Sequence, residues 1–345
     1  MMFYSLYIKI YIKMKIYFFW PFNVPISLNS TEPCEIFSVL QKHPKVELVN
    51  DFDECDYVIY MNIYRNILNL PYIERSSLNI EAVQKMYNFK DHHKEVIIDY
   101  NDWTDLRNVP ANILQNVYKY FKRSVVYKPG CQNAPWFIND GNVINSELGS
   151  ENAKITYPRE ILPINYGIRT DYIEYDKDYK QSGYIYDVCC MFEGYAWEGG
   201  LRSVVPHIVR QYEGIKKYVG MIKMENNLDR YANINTLYYG VMKHSKIIVT
   251  ANPTNHEGDF RLWEALLTGN LVLCDKMLTT EMHKHPLVNG KHLVFYDDVN
   301  NLISLLQYYL FHTDESKQIG KSGREHVLKY HKFSDRVDEI LEHLI

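Results

Sequence analysis

The sequence predicts an α/β protein built as two doubly wound domains. Three observations carry that expectation. Short β-branched or apolar runs alternate with helical stretches, the order that needs a parallel sheet. The alternation stops once, over residues 128–160, where Pro129-Gly130, Asp140-Gly141 and Gly149 break any periodicity, and then resumes. At 345 residues the chain exceeds one comfortable core and suits two domains of ordinary size.

The first domain is expected over residues 14–168. Lys15–Trp20 reads as a strand, Glu35–Lys42 as a short helix, Val46–Val49 as a strand, and Tyr57–Met61 as another after the acidic turn Asp51–Asp56. Ile80–Asn88 has helical periodicity and Glu95–Asp99 is strand-like. Pro110 stands near the start of a helix, where proline is tolerated; the helix is expected to run to about Arg123, with Ser124–Tyr127 as one more strand. Ile161–Ile168 reads as the crossover into the second domain. Residues 1–13 read as an N-terminal extension. Lys9, Lys13 and Lys15 interrupt their apolar run, which stays short of the ~20 residues a membrane helix needs. No small-residue cleavage site follows, and no membrane association is expected.

The second domain is expected over residues 169–345. Strands fall at Tyr184–Phe192, Tyr218–Ile222 and His292–Phe295, and three helices close the chain near Val299–Phe311, Glu315–Tyr330 and Ser334–His343. Its centre is the stretch from His244 to Asp275. Lys246–Thr250 is a β-branched strand, and a polar loop with Asn252, His256, Glu257 and Gly258 follows it. A helix from Asp259 or Phe260 to Thr268 is stopped by Gly269-Asn270, and Leu271–Cys274 is the next strand. A loop beyond the carboxyl end of a parallel strand, opening onto a helix N-terminus, is where such sheets bind phosphorylated ligands. On that helix Phe260, Trp263 and Leu267 share an apolar face, while Arg261, Glu264 and Thr268 share another stripe. Spacing alone fits Arg261 and Glu264 equally well to an ordinary surface ion pair.

The residue pattern separates these readings. Glu264-Ala265-Leu266-Leu267-Thr268-Gly269 before an apolar strand resembles the nucleotide-sugar-binding end of GT-B glycosyltransferases, a glycosyltransferase family 1-like domain. Asn252-Pro253-Thr254 followed by Arg261-Leu262-Trp263-Glu264 is similar to the CgeB-like branch. The likeness continues through Val294–Asp298, Gly320–Arg324 and Tyr330–Arg336, so it covers the chain from about Tyr184 onward; the first half matches in general shape only.

The resemblance implies a GT-B architecture, with two Rossmann-like domains around a cleft. It also implies an enzyme that moves a sugar from a nucleotide-diphosphate donor, a UDP- or GDP-sugar, to a hydroxyl acceptor such as a glycan, protein or small molecule. Neither a metal nor a tightly bound cofactor is implied. Glu264 would accept hydrogen bonds from the ribose hydroxyls, and Arg261 would face phosphate or anchor Glu264. Glu257 stands one residue closer to Glu264 than in the common pattern, so Asp259 or His256 could take its place near the sugar. Asp259 also fits a simple helix cap. Lys223, just after the strand ending at Ile222, stands where related enzymes often carry a diphosphate-binding base.

Other candidates come from position in the chain. Arg202, just inside the helix after the loop from Phe192 to Gly200, could counter a diphosphate or be a solvated helix arginine. Asp99 and Asp102 follow a strand and would face the cleft. Either could be the general base of an inverting enzyme, or the pair could simply end the strand in an Asx turn. The donor-site set is therefore Arg202, Lys223, Asn252, Glu257, Gly258, Asp259, Arg261 and Glu264, and the catalytic candidates are Asp99, Asp102 and His256.

Composition narrows the remaining classes. No His/Cys cluster has metal-ligand spacing, and no G-x-G-x-x-G or P-loop points to a dehydrogenase or NTPase. The six cysteines form no C-x-x-C pair, and Cys189, Cys190 and Cys274 lie in apolar runs, so a reduced, cytoplasmic compartment is expected. A net charge of −4 and a pI near 6.4 lack the basic excess of a nucleic-acid binder, so no nucleic-acid partner is expected. The alternative to an enzyme is a non-catalytic nucleotide- or carbohydrate-binding protein on the same scaffold, which has no need of both Arg261 and Glu264.

Overall fold

Two all-parallel sheets organise the chain. The computed structural model describes residues 13–22, 26, 31–61, 78–89, 91, 94–100, 116–123, 126–127, 135–139, 142–144, 161–179, 183–192, 200–222, 234–252, 260–277 and 284–344. In the first half the strands are β1 (Met14–Phe19), β2 (Val46–Leu48), β3 (Tyr57–Met61), β4 (Glu95–Asp99), β5 (Lys119–Lys122), β6 (Val126–Tyr127), β7 (Pro135–Asn139), β8 (Asn142–Ile144) and β9 (Ile161–Pro163). The main sheet runs β2-β1-β3-β4-β5-β9, with every pair parallel. In the second half β10 (Tyr186–Cys190), β11 (Lys217–Val219), β12 (Ser245–Thr250), β13 (Leu271–Asp275) and β14 (Val294–Tyr296) form a sheet in the order β11-β10-β12-β13-β14, again parallel throughout.

The sequence explains the burial. A parallel strand is covered on both faces, so it reads as a continuous apolar run. Val96, Ile97 and Ile98 of β4 and Ile247, Ile248 and Val249 of β12 are all buried. The covering helices are α1 (Thr31–Lys42) and α2 (Ile80–Asn88) in the first half. The second half adds α3 (Thr170–Asp178), α4 (Gly200–Gln211), α5 (Thr236–Lys243), α6 (Phe260–Leu267), α7 (Val299–Phe311), α8 (Thr313–Tyr330) and α9 (Phe333–Glu342). Both sheets place their first strand between the second and third. The direction of winding therefore reverses between β1 and β3, and again between β10 and β12, which makes a crevice at the carboxyl ends of those strands.

Two expectations are corrected. The helix expected to run to Arg123 does not reach it, because Lys119–Lys122 is the fifth strand of the main sheet. Within it Lys122 is buried and paired with Asp99 at 3.6 Å. Pro110 lies outside the described residues. The strand expected at Ser124–Tyr127 exists as Val126–Tyr127, but it joins β7 and β8 in a separate antiparallel sheet. Short-range pairing explains this: two neighbouring segments close a local sheet without a crossover.

The end of the chain returns to the first sheet. Helix α9 packs against α1 and buries Phe333, Val337, Ile340 and Leu341. Tyr57 of β3 donates its hydroxyl to the Leu344 carbonyl at 2.6 Å. Behind the second sheet, Gly269 ends α6 with φ of 79°, a left-handed cap suited to glycine. Gly320 of α8 sits so close to this turn that a Cβ there would lie 2.4 Å from the Gly269 carbonyl oxygen. Among the described residues, no helix is long and apolar enough to cross a membrane.

Candidate functional site

The crevice of the second sheet opens where β10 and β12 end. Beyond β10 the chain passes through buried Phe192, and the ring of that residue collects two cations. The Arg202 guanidinium, from the first turn of α4, lies 5.0 Å from its centroid, and the Arg261 guanidinium, from the first turn of α6, lies 5.5 Å from it. Arg202 also donates to the Ala251 carbonyl just beyond β12, at 2.7 Å. Two half-buried positive charges around one aromatic ring, beside the amino ends of two helices, favour an anion.

Glu264 stands on the same helix as Arg261 and is also half-buried, whereas Leu262, Trp263, Ala265, Leu266 and Leu267 are core. Phe260, expected in the core face, is half-buried instead and stacks toward the other domain. The Tyr238 hydroxyl of α5 donates to Glu264 Oε2 at 2.8 Å. Burial, then the Glu264 charge, push the Tyr238 phenol well above its ordinary range, so it stays a donor. The glutamate is thereby held with one oxygen engaged.

Asn252, two residues beyond β12, is buried and tied to Asp275 at the end of β13. Its backbone N–H and its side-chain Nδ2 each donate to Asp275 Oδ1 at 2.7 Å, and Nδ2 also reaches the Asp275 carbonyl at 3.2 Å. Burial pushes the Asp275 carboxyl up to about 7, against the pull of the Asn252 N–H. Tyr296 of β14 donates to the Thr250 carbonyl at 2.7 Å. Sequence reasoning did not single out Asp275, Tyr238 or Tyr296. For Asp275 a signal existed: a lone carboxylate closing the apolar strand Leu271–Asp275, at the end where parallel sheets bind ligands.

The facing edge of the first sheet is arranged differently. Asp99 ends β4 with its side chain buried; it accepts from the Tyr120 hydroxyl at 2.6 Å and pairs with buried Lys122 at 3.6 Å. The expectation of a carboxylate presented to the cleft does not match this placement. Next to it the Arg123 guanidinium lies 4.2 Å from the Tyr166 ring centroid, and Tyr166 stands 4.1 Å from Phe260, the first residue of α6. This stack joins the carboxyl edges of the two sheets, so they face each other across the cleft. Asp102, Lys223, His256, Glu257, Gly258 and Asp259 lie outside the described residues. Among the described residues, no group of three or more His, Cys, Asp or Glu is placed to hold a metal ion.

Two parallel Rossmann-like domains on either side of a cleft are the GT-B architecture, and this chain has that fold. Residues 225–342, about a third of the chain, match the family model described as glycosyl transferase-like. No curated protein matches the chain. An alpha-glucosyltransferase in complex with UDP-glucose and DNA containing an abasic site is similar in structure, with a TM-score of 0.56 and 10% identity over 96% of this chain and 99% of that one. An alpha-glucosyltransferase in complex with UDP and a 13-mer DNA containing an HMU base has a TM-score of 0.54 and 9% identity, with the same coverage.

These similarities correct one expectation. The net charge was read as excluding a nucleic-acid partner, yet enzymes of this fold are found bound to DNA. The inference failed because net charge averages over the whole surface, whereas a ligand meets the local potential of a cleft.

Proposed function

We propose that this chain is a glycosyltransferase that moves a sugar from a UDP- or GDP-sugar to a hydroxyl acceptor. One observation carries the reading: Arg202 and Arg261 converge on Phe192 at the winding reversal of the second sheet, one helical turn from Glu264. The two guanidinium groups and the amino ends of α4 and α6 would neutralise the diphosphate as it leaves, which is the main electrostatic demand of the reaction. Glu264, which Tyr238 orients, would accept from the ribose hydroxyls. Lys223, Asn252, Glu257, Gly258 and Asp259 complete the proposed donor site.

In the proposed division of labour, residues 169–345 hold the donor and residues 14–168 hold the acceptor. If the anomeric centre is inverted, a base must take the acceptor proton. Asp102 and His256 are the groups proposed for it, since the Asp99 carboxylate is engaged by Tyr120 and Lys122. No step of this scheme requires a metal, and the protein is proposed to work in the reducing cytoplasm.

A thermal-shift panel of UDP, GDP, ADP and CMP tests the donor site, because a ligand that binds only the folded state raises its stability. UDP or GDP is expected to give the largest rise. Transfer is then assayed on glycans, small hydroxyl compounds and DNA carrying the HMU base, with and without a chelator. Activity lost in chelator and restored by magnesium or manganese would overturn the metal-independent scheme. Nucleotide-sugar binding with neither hydrolysis nor transfer would identify a non-catalytic scaffold.

A further inference from the structure

The last residue of β12 and the two that follow it are held from three sides. The Thr250 carbonyl accepts from Tyr296 of β14, the Ala251 carbonyl from Arg202 of α4, and the Asn252 N–H donates to Asp275 of β13, each at 2.7 Å. Such convergence fixes the backbone before any ligand arrives.

The side chain of Asn252 is fixed as well. Its Nδ2 lies 3.2 Å from the Asp275 main-chain carbonyl, an atom that can only accept, and 2.7 Å from Asp275 Oδ1. The amide group must therefore turn its nitrogen to Asp275 and its oxygen away. That oxygen is buried, and it has no hydrogen-bond partner among the described residues. A buried acceptor left unmatched costs free energy unless a ligand supplies a donor. The oxygen belongs to the residue just beyond Ala251, whose carbonyl Arg202 holds, at the carboxyl edge of the sheet.

We infer that Asp275 is a positioning residue for the donor site, holding Asn252 so that its carboxamide oxygen accepts from a hydroxyl of the nucleotide sugar. This rests on the glycosyltransferase reading and adds a chemical constraint to it. A carboxamide oxygen repels phosphate oxygens, so its partner is a sugar or ribose hydroxyl, and the diphosphate belongs to the arginines. Asp275 acts only through Asn252, and either oxygen-bearing side chain at position 275 can accept from its amide.

Calorimetric titration with UDP-glucose and GDP-glucose, with inorganic pyrophosphate as the control ligand, tests this on the full chain. Asp275→Val should weaken the nucleotide sugar that wild type binds by about tenfold, the scale of one lost hydrogen bond in a buried site. Asp275→Asn should restore most of that affinity, because an amide oxygen still accepts from Asn252; a merely structural role for the charge would not be rescued this way. Asn252→Ala, a smaller change to the fold, should give the same loss while pyrophosphate affinity stays at the wild-type value. Unchanged nucleotide-sugar affinity in folded Asn252→Ala, with Glu264→Ala still weakened, would overturn this inference and leave the glycosyltransferase reading standing. An equal loss of pyrophosphate affinity would also overturn it, by placing Asn252 at the diphosphate. A wild-type protein that binds neither nucleotide sugar overturns both.

Discussion

The two sheets share one winding order, yet their carboxyl edges are finished in opposite ways. At the first, Asp99, Tyr120 and Lys122 satisfy one another in a buried ion pair. At the second, Arg202, Arg261 and Glu264 remain half-buried, and Asn252 keeps a buried oxygen without a partner among the described residues. Topology thus supplies a crevice twice: at the first the closing carboxylate Asp99 is closed off by a phenol and a lysine, whereas at the second Asp275 holds an amide whose buried oxygen is left unmatched among the described residues.

The comparison can be broken at several points. The largest effect concerns the tie between the halves. Helix α9, with Leu344 just beyond it, buries Phe333, Val337, Ile340 and Leu341 against the far domain's helical layer. At about 1.5–3 kcal/mol per buried side chain, its loss is on the order of 10 kcal/mol, as large as the stability of a typical domain. Deleting residues 333–345 should therefore leave no cooperatively folded protein in a denaturation experiment. A truncated chain with an unchanged midpoint would show that the two edges do not depend on one shared body.

Next comes the closed edge itself. Asp99→Ala would strand buried Lys122, and breaking such a pair typically costs about 3–5 kcal/mol. Chemical denaturation should register that loss. Full stability with transfer abolished would instead return Asp99 to the acceptor site and end the contrast drawn here.

The open edge predicts a pH effect of on the order of a few kcal/mol. Asp275 has its carboxyl raised to about 7 from an ordinary 3.8, so between those values the folded state holds the proton more tightly than the unfolded chain does. Unfolding free energy contributed by this group should fall as pH rises from about 4 to about 7 and then level off. In Asp275→Asn that slope should vanish, so the variant gains on wild type with rising pH; parallel stability curves would refute the assignment.

The smallest effect is the most local. Glu264→Ala should keep its fold and lose about tenfold or more in nucleotide affinity, the value of a charged hydrogen bond of roughly 1.5–3 kcal/mol. A folded variant with intact affinity would remove the ribose contact.

Much of this was legible in the residues. Continuous apolar runs such as Val96–Ile98 and Ile247–Val249 announce doubly covered parallel strands, because a strand buried on both faces has no polar side to show. The Arg261–Glu264 spacing and the glycine stop at Gly269 are local properties, set by helical periodicity and by backbone sterics. What periodicity could not carry was the state of groups whose partners are distant in sequence. Lys119–Lys122 reads as the end of a helix until β4, more than twenty residues earlier, pairs with it and Asp99 accounts for the buried Lys122. Asp99 looks like a base until Tyr120 and Lys122 are placed on it. The pairing of Asn252 with Asp275 spans 23 residues and needs two neighbouring strands in register, Thr250 beside Cys274. Pattern determined the elements because each reports its own surroundings; only the assembled sheets decided which polar groups are spent and which are left for a ligand.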